Sequence, residues 1–281
     1  MTGLRALRLG IAALGLSVVA IIALSACDVG SEPPATPTAA VQPTAAPPAE
    51  TPLPPTPASD YTPDAGPPPT ACAQSALAVN RGNPAKQMVA LTFDAGSDAG
   101  YTTQILQTLR ANGIKASFSL TGQWTADFPD LAKAIAADGH IVMNHSQDHP
   151  SFTGFSTGTA PISRQARIDE LQQAEAEIKA VTGVSTRPYF RPPYGDYDAS
   201  VLCDIYAAGY RYAVLWTVDT LGWNGASADQ IVQTALSKAK PGAILIMHVG
   251  SQSQDAAALQ RVIDGLRAQG YSFGTISDIL S

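Results

Sequence analysis

The chain has 281 residues, 45% of them hydrophobic and 14% charged, enough to bury one large α/β core or two smaller ones. Its net charge of −6 lacks the basic footprint of a nucleic-acid binder, so no nucleic-acid partner is expected. Three cysteines without a CxxC pair argue against a thiolate metal site.

Residues 1–27 read as an export signal: MTGLRALRLG supplies a positive flank, IAALGLSVVAIIAL an apolar stretch, and LSAC follows. Leu24, Ser25 and Ala26 before Cys27 resemble the lipobox of bacterial lipoproteins, which implies lipidation of Cys27 and a membrane anchor. An uncleaved transmembrane anchor is the alternative. Either way the remainder is exported and faces the cell wall or periplasm. Residues 28–71 form a Pro/Thr/Ala-rich segment, with 14 of the 22 prolines between 31 and 70. Such a composition cannot bury enough apolar surface to fold and is expected to be a disordered, partly polyproline tether. Extended at roughly 3 Å per residue, it would reach on the order of 100 Å from a membrane.

Residues 72–85 lead into the main domain, expected over 86–281. Cys72 and Cys203 are candidates for a disulfide in an oxidising compartment, with two buried free thiols as the alternative. From Lys86 onward short apolar runs alternate with amphipathic stretches. MVALTF reads as a strand, YTTQILQTLRANG as a helix closed by Gly113, and KASFSL as a strand. A helix at DFPDLAKAIAADG, a strand at HIVMNH and a long polar helix over 163–182 follow. Next come a helix at ASVLCDIYAAG, a strand at YAVLWTV, a helix at SADQIVQTALSKA, a strand at AILIMHV and a helix at DAAALQRVIDGLRAQG. This β-α order predicts a parallel sheet, open or closed into a barrel.

Asp94, His145, Asp219 and His248 fall at or just past the C-terminal ends of predicted strands, the edge where sites assemble in parallel α/β folds. His145 and His149, two of the four histidines, are spaced i, i+4. One helical turn would bring both imidazoles to one face, where they suit a divalent metal.

Asp94, the His145 and His149 pair, FRPPYG at 190–195, DTLGW at 219–223, and IMH ending at His248 occur in one order. In that order they resemble the five motifs of the NodB-homology polysaccharide deacetylases, carbohydrate esterase family 4, over roughly residues 86–281. The resemblance implies a distorted parallel (β/α) barrel and metal-dependent hydrolysis of N- or O-acetyl groups on sugars. It further implies Asp94 as catalytic base, His248 as general acid, and Arg191 as the residue that orients the base. The backbone N–H of Tyr194 would serve as oxyanion donor, with Trp223 and Ile246 flanking the acetyl methyl group. Asp219 belongs to the same catalytic set, and His140 has no counterpart in it and reads as structural. Zn²⁺ or Co²⁺ is the expected ion, with Ni²⁺ and Mn²⁺ as alternatives. The expected partner is an acetylated polysaccharide: peptidoglycan foremost, or a chitin-like chain or xylan.

Two departures from the family pattern stand out. Ala95 occupies the position of a second acid that normally ligates the metal, and Asp98 is the candidate replacement, with a helix N-cap as its other reading. Gly222 occupies the position of an acid that would pair with Arg191, which leaves the orientation of Arg191 open. Two other functions are therefore kept: a glycan-binding lipoprotein with a decayed metal site, and a glycosidase using Asp94 and Asp98 as its acid pair.

Overall fold

A computed structural model describes residues 72–281; the signal segment, Cys27 and the linker lie outside the described residues. The strands are β1 (Leu77–Val79), β2 (Met88–Ala95), β3 (Ser117–Leu120), β4 (Ile141–Asn144), β5 (Tyr189–Phe190), β6 (Tyr212–Val214), β7 (Val218–Asp219), β8 (Ile244–His248) and β9 (Ser272–Gly274). The helices are α1 (Thr102–Ala111), α2 (Gly122–Asp127), α3 (Pro129–Ala137), α4 (Arg164–Thr182), α5 (Ala199–Ala207), α6 (Ala228–Lys238), α7 (Asp255–Ala268) and α8 (Ile276–Leu280). All nine strands form one parallel sheet in the order β1-β6-β5-β4-β3-β2-β8-β7, with β9 pairing the start of β2.

The sheet curls into an incomplete barrel, the α/β architecture expected from the sequence. β6 and β7 lie far apart along the path of strands, yet only residues 215–217 separate them in the chain. A span that short reaches roughly 14 Å at most, so the two ends of the sheet must approach each other. The run YAVLWTV, expected as one strand, is therefore two. Leu215 donates to Val79 O at 2.8 Å and Thr217 to Ile244 O at 2.8 Å, so this segment bridges the gap between the edges.

Strand alternation sorts the side chains of β2. Val89, Leu91, Phe93 and Ala95 are fully buried in the main apolar cluster, with α1, α6 and α7 packed over them. Ala90 faces the barrel interior with Met143, Val214 and Ile244, closed off by Ile276 and Ile279 of α8. Thr92 and Asp94 continue that inner face toward the C-terminal edge. The barrel is thus apolar at its base and polar at its mouth.

The helix boundaries follow local chemistry. Ser163 caps α4 through its hydroxyl, and Gly183 ends it at φ 77°. A capping box between Ser227 and Gln230 opens α6. Four elements within 86–281 escape the periodicity reading because they are too short to show a pattern: α2, β5, β9 and α8. The lead-in segment also contributes structure, since β1 pairs with β6 as an edge strand. A disulfide joins Cys72 to Cys203 in α5, tying that segment to the domain.

Candidate active site

Arg191 follows β5 and is completely buried. Its Nη1 donates to Asp94 Oδ1 at 2.6 Å, its Nη2 to Thr92 Oγ1 at 2.9 Å, and its Nε to Val214 O at 3.1 Å. Arg191 is therefore fixed in place without any acid at position 222. Burial pushes the Asp94 carboxyl upward, but the positive charge of Arg191, with smaller contributions from His145 and His248, outweighs it and lowers the pKa to about 2. Asp94 is ionised at neutral pH.

His145 lies just beyond β4. Its Nδ1 is 2.8 Å from Arg191 O; a carbonyl can only accept, so Nδ1 carries the proton and Nε2 presents its lone pair. That Nε2 is 3.5 Å from Asp94 Oδ2 and 3.1 Å from His149 Nε2. The i, i+4 spacing does not act through a helix, because residues 145–150 form a loop. The chain reverses instead through left-handed conformations at Ser146 (φ 67°) and His149 (φ 60°). Burial lowers the pKa of both imidazoles, that of His149 to about 3, so both rings are neutral and have lone pairs to offer.

Two facing, neutral imidazole nitrogens beside a carboxylate suit a divalent ion of the Zn²⁺ type by donor chemistry. Among the described residues no cluster of three His, Cys, Asp or Glu side chains is arranged to hold a metal. The fit is therefore to a two-imidazole site completed by non-protein ligands. Asp98 is not delivered to the histidines: its carboxylate accepts the N–H of Ser251 at 2.9 Å and the Ser251 hydroxyl. Nor does it cap α1, whose N-cap is Tyr101. With Asp98 turned to the loop after β8, Asp94 and Asp98 do not make a facing acid pair. Ala95, for its part, belongs to the helix-side core.

The remaining expected residues gather at the same edge. His248 is paired in register with Asp94, and Ile246 with both Thr92 and Asp219. Asp219 accepts the Trp223 indole N–H at 3.2 Å and the Leu221 N–H at 2.8 Å. Burial raises its pKa, and the nearby Asp255 adds to the rise. Tyr194, at φ 60° in the turn Pro193–Gly195, stands with its ring 4.8 Å from that of His149. His140 lies outside the group, with Nδ1 accepting the Ala116 N–H at 3.1 Å, consistent with a structural role.

Sequence reasoning missed Thr92, although period-two alternation from Asp94 would have found it. It also missed the strain. Among the described residues the non-glycine positions with left-handed φ are Ser146, His149, Tyr194 and Leu221, all in loops at this edge. Such conformations cost about 1–3 kcal/mol each and concentrate at functional sites.

The sequence profile of the polysaccharide deacetylase family matches residues 81–213. The peptidoglycan-N-acetylmuramic acid deacetylase PdaA of Bacillus subtilis is 34% identical over 202 residues, covering 71% of this chain and 73% of that protein. The chain belongs to the polysaccharide deacetylase family. Membership assigns it to the hydrolases of carbon–nitrogen bonds other than peptide bonds. A peptidoglycan-N-acetylglucosamine deacetylase of Bacillus cereus is 31% identical over 68% of this chain and 67% of its own length. Among solved structures, a carbohydrate esterase family 4 pseudoenzyme from Bacillus anthracis superposes with TM-score 0.67 at 32% identity, covering 74% of this chain and 70% of its own. A mutant of that protein is described as having restored enzymatic activity, with the same TM-score of 0.67.

Proposed function

We propose that this polysaccharide deacetylase removes acetyl groups, the N-acetyl amide foremost, from a cell-wall polysaccharide in a metal-dependent hydrolysis. The amino sugars of peptidoglycan are the leading substrate; chitin-type oligomers and acetylated xylan are the others. The observation that carries this reading is an ionised Asp94, held by Arg191 beside two neutral imidazoles and level with His248. The names of the peptidoglycan deacetylases of Bacillus support the substrate class.

A divalent ion held by His145 and His149, Zn²⁺ or Co²⁺ foremost with Ni²⁺ or Mn²⁺ as alternatives, would polarise the acetyl carbonyl and acidify a water. Asp94 takes the proton of the attacking water, its carboxylate kept oriented by Arg191, which Thr92 braces in turn. His248 gives a proton to the departing amine nitrogen, which would otherwise leave as a strongly basic anion. The backbone N–H of Tyr194 faces the developing oxyanion. Trp223 and Ile246 flank the acetyl methyl group, and Asp219 fixes the indole. In the cell, a lipid on Cys27 anchors the protein and residues 28–71 tether the domain toward the wall.

A non-catalytic glycan binder is the second reading, and Ala95 together with the likeness to a pseudoenzyme favours it. Acetate release from acetylated peptidoglycan, chitin oligomers and acetylxylan separates the two, measured with Zn²⁺ or Co²⁺ and after EDTA. Chelator-sensitive acetate supports the deacetylase. Retention on glycan without acetate from any substrate, using metal-loaded protein, overturns it. Labelled palmitate incorporation that survives Cys27→Ala would overturn the anchor.

A further inference from the structure

His248 ends β8 with a side chain 25% exposed, and its Nδ1 is enclosed without a hydrogen bond. Facing that nitrogen is Asp255, the first residue of α7, with Oδ2 3.9 Å away. Asp255 is fully buried. Its Oδ2 accepts the backbone N–H of His248 at 2.9 Å and the Ser253 hydroxyl at 2.7 Å. The carboxylate is thus fastened to the same residue whose ring it faces. A carboxylate taken out of water costs several kcal/mol unless it is paired; burial raises the Asp255 pKa, and the facing His248 ring opposes the rise.

Gly222 makes room for this arrangement. A Cβ at position 222 would lie 2.4 Å from Ser253 Oγ and 2.5 Å from Asp255 Oδ2. The Gly222 backbone is outside the left-handed region, so space and not φ calls for glycine there.

We infer that Asp255 is the positioning residue for His248, its carboxylate taking the Nδ1–H so that Nε2 is the nitrogen that exchanges a proton with substrate. The inference rests on the general-acid reading of His248 given above. A small rotation of the ring or the carboxylate closes 3.9 Å to a hydrogen bond, and a protonated ring would favour it. A carboxylate behind an imidazole selects the tautomer and raises its basicity. The other groups facing His248 are Asp94 from β2, Asp219 from β7, and the His145 and His149 rings from the loop after β4. Asp219 bonds the Trp223 indole and the Leu221 N–H, which leaves Asp255 as the carboxylate held at the back of the ring.

The test compares wild type, Asp255→Asn, Asp255→Ala, and Asp255→Ala combined with Gly222→Asp. The readouts are the His248 ring pKa and tautomer by ¹⁵N NMR, together with acetate release. Asp255→Asn is expected to lower the His248 pKa by about one unit. It should also reduce kcat about 10- to 100-fold, with KM little changed. The combined variant regrows a carboxylate from position 222 into the space vacated by Asp255, and both quantities should return toward wild type. A His248 pKa unmoved by Asp255→Asn overturns the inference, as does a combined variant no better than Asp255→Ala. Should Asp255→Asn fail to fold, the comparison of Asp255→Ala with the combined variant decides. If wild type itself releases no acetate, the deacetylase reading fails while the NMR titration still decides the role of Asp255.

Discussion

Asp94 and His248 stand opposite each other in the parallel ladder between β2 and β8. Paired residues of neighbouring strands share a face, so the proposed base and the proposed general acid project from one level of the barrel mouth. Asp94→Asn and His248→Gln should each lower kcat about 10²- to 10⁴-fold. The double variant should fall little below the worse single one, because both groups serve one reaction sequence. Acetate-release kinetics on the three variants check this, and fully multiplicative losses would contradict it.

Arg191 and Asp94 form a buried ion pair at 2.6 Å. Burial alone would raise the Asp94 carboxyl; Arg191 reverses the sign and brings it from 3.8 to about 2. A carboxyl lowered in the folded state contributes stability that is complete above its unfolded pKa and lost as pH falls through the folded one. The window here is therefore pH 4 to 2. Arg191→Met should cost about 3–5 kcal/mol at neutral pH by leaving a buried charge unpaired. In that variant burial is opposed only by the smaller contributions of His145 and His248, so the stability gap to wild type should narrow as pH falls from about 7 to 3. Chemical denaturation across that range measures the gap, and a constant difference would refute the account.

His149 sits at φ 60°, a conformation that asparagine tolerates well. His149→Asn removes one imidazole from the facing pair with little backbone cost. Zn²⁺ binding by titration calorimetry should weaken at least about tenfold, while the melting temperature in EDTA stays close to wild type. Undiminished Zn²⁺ affinity would move the metal elsewhere.

The Cys72–Cys203 bridge closes a loop with a sequence separation of 131 and fastens the segment that carries the edge strand β1. Loop-closure entropy for such a span amounts to about 5 kcal/mol at most. Replacing both cysteines with serine should lower Tm on the order of 10 °C, as followed by calorimetry under oxidising conditions. An unchanged Tm would mean that β1 holds without the bridge.

Glu175 of α4 accepts the Ser185 hydroxyl at 2.6 Å and both the N–H, at 2.9 Å, and the hydroxyl of Thr186. These bonds hold the segment that enters β5 and so delivers Arg191. Burial pushes the Glu175 carboxyl up, but the hydrogen bonds from Ser185 and Thr186 outweigh it and keep it below its ordinary 4.5. Its contribution is thus present above pH 4.5 and fades on acidification. Glu175→Gln should cost about 1–3 kcal/mol at neutral pH, with a smaller difference in acid, by denaturant titration.

The legible parts of the site were those written into short motifs. Asp94, His145, His149, Arg191, Tyr194, Asp219, Trp223, Ile246 and His248 could be named because strand ends and loop motifs carry them. The structure gathers these nine at one edge. Asp98 was misread because a flexible Gly-flanked turn leaves the direction of a side chain open, and Ser251, 153 residues away in the chain, claims it. Asp255 was illegible although it lies only seven residues from His248, because the loop between them leaves open whether its carboxylate turns back to that ring.

Local pattern thus determined the parallel α/β class and most helices and strands, and the family resemblance of its short motifs named the candidate site residues, because period, caps and motif spacing are short-range properties. Tertiary structure decided what those properties leave free. It split YAVLWTV to bridge the barrel gap, turned the His145–His149 spacing into a strained loop, fixed Arg191 without an acid at 222, and filled the space above Gly222 with Asp255. Each of these outcomes depends on which distant segments share a volume, and that is set only when the sheet curls.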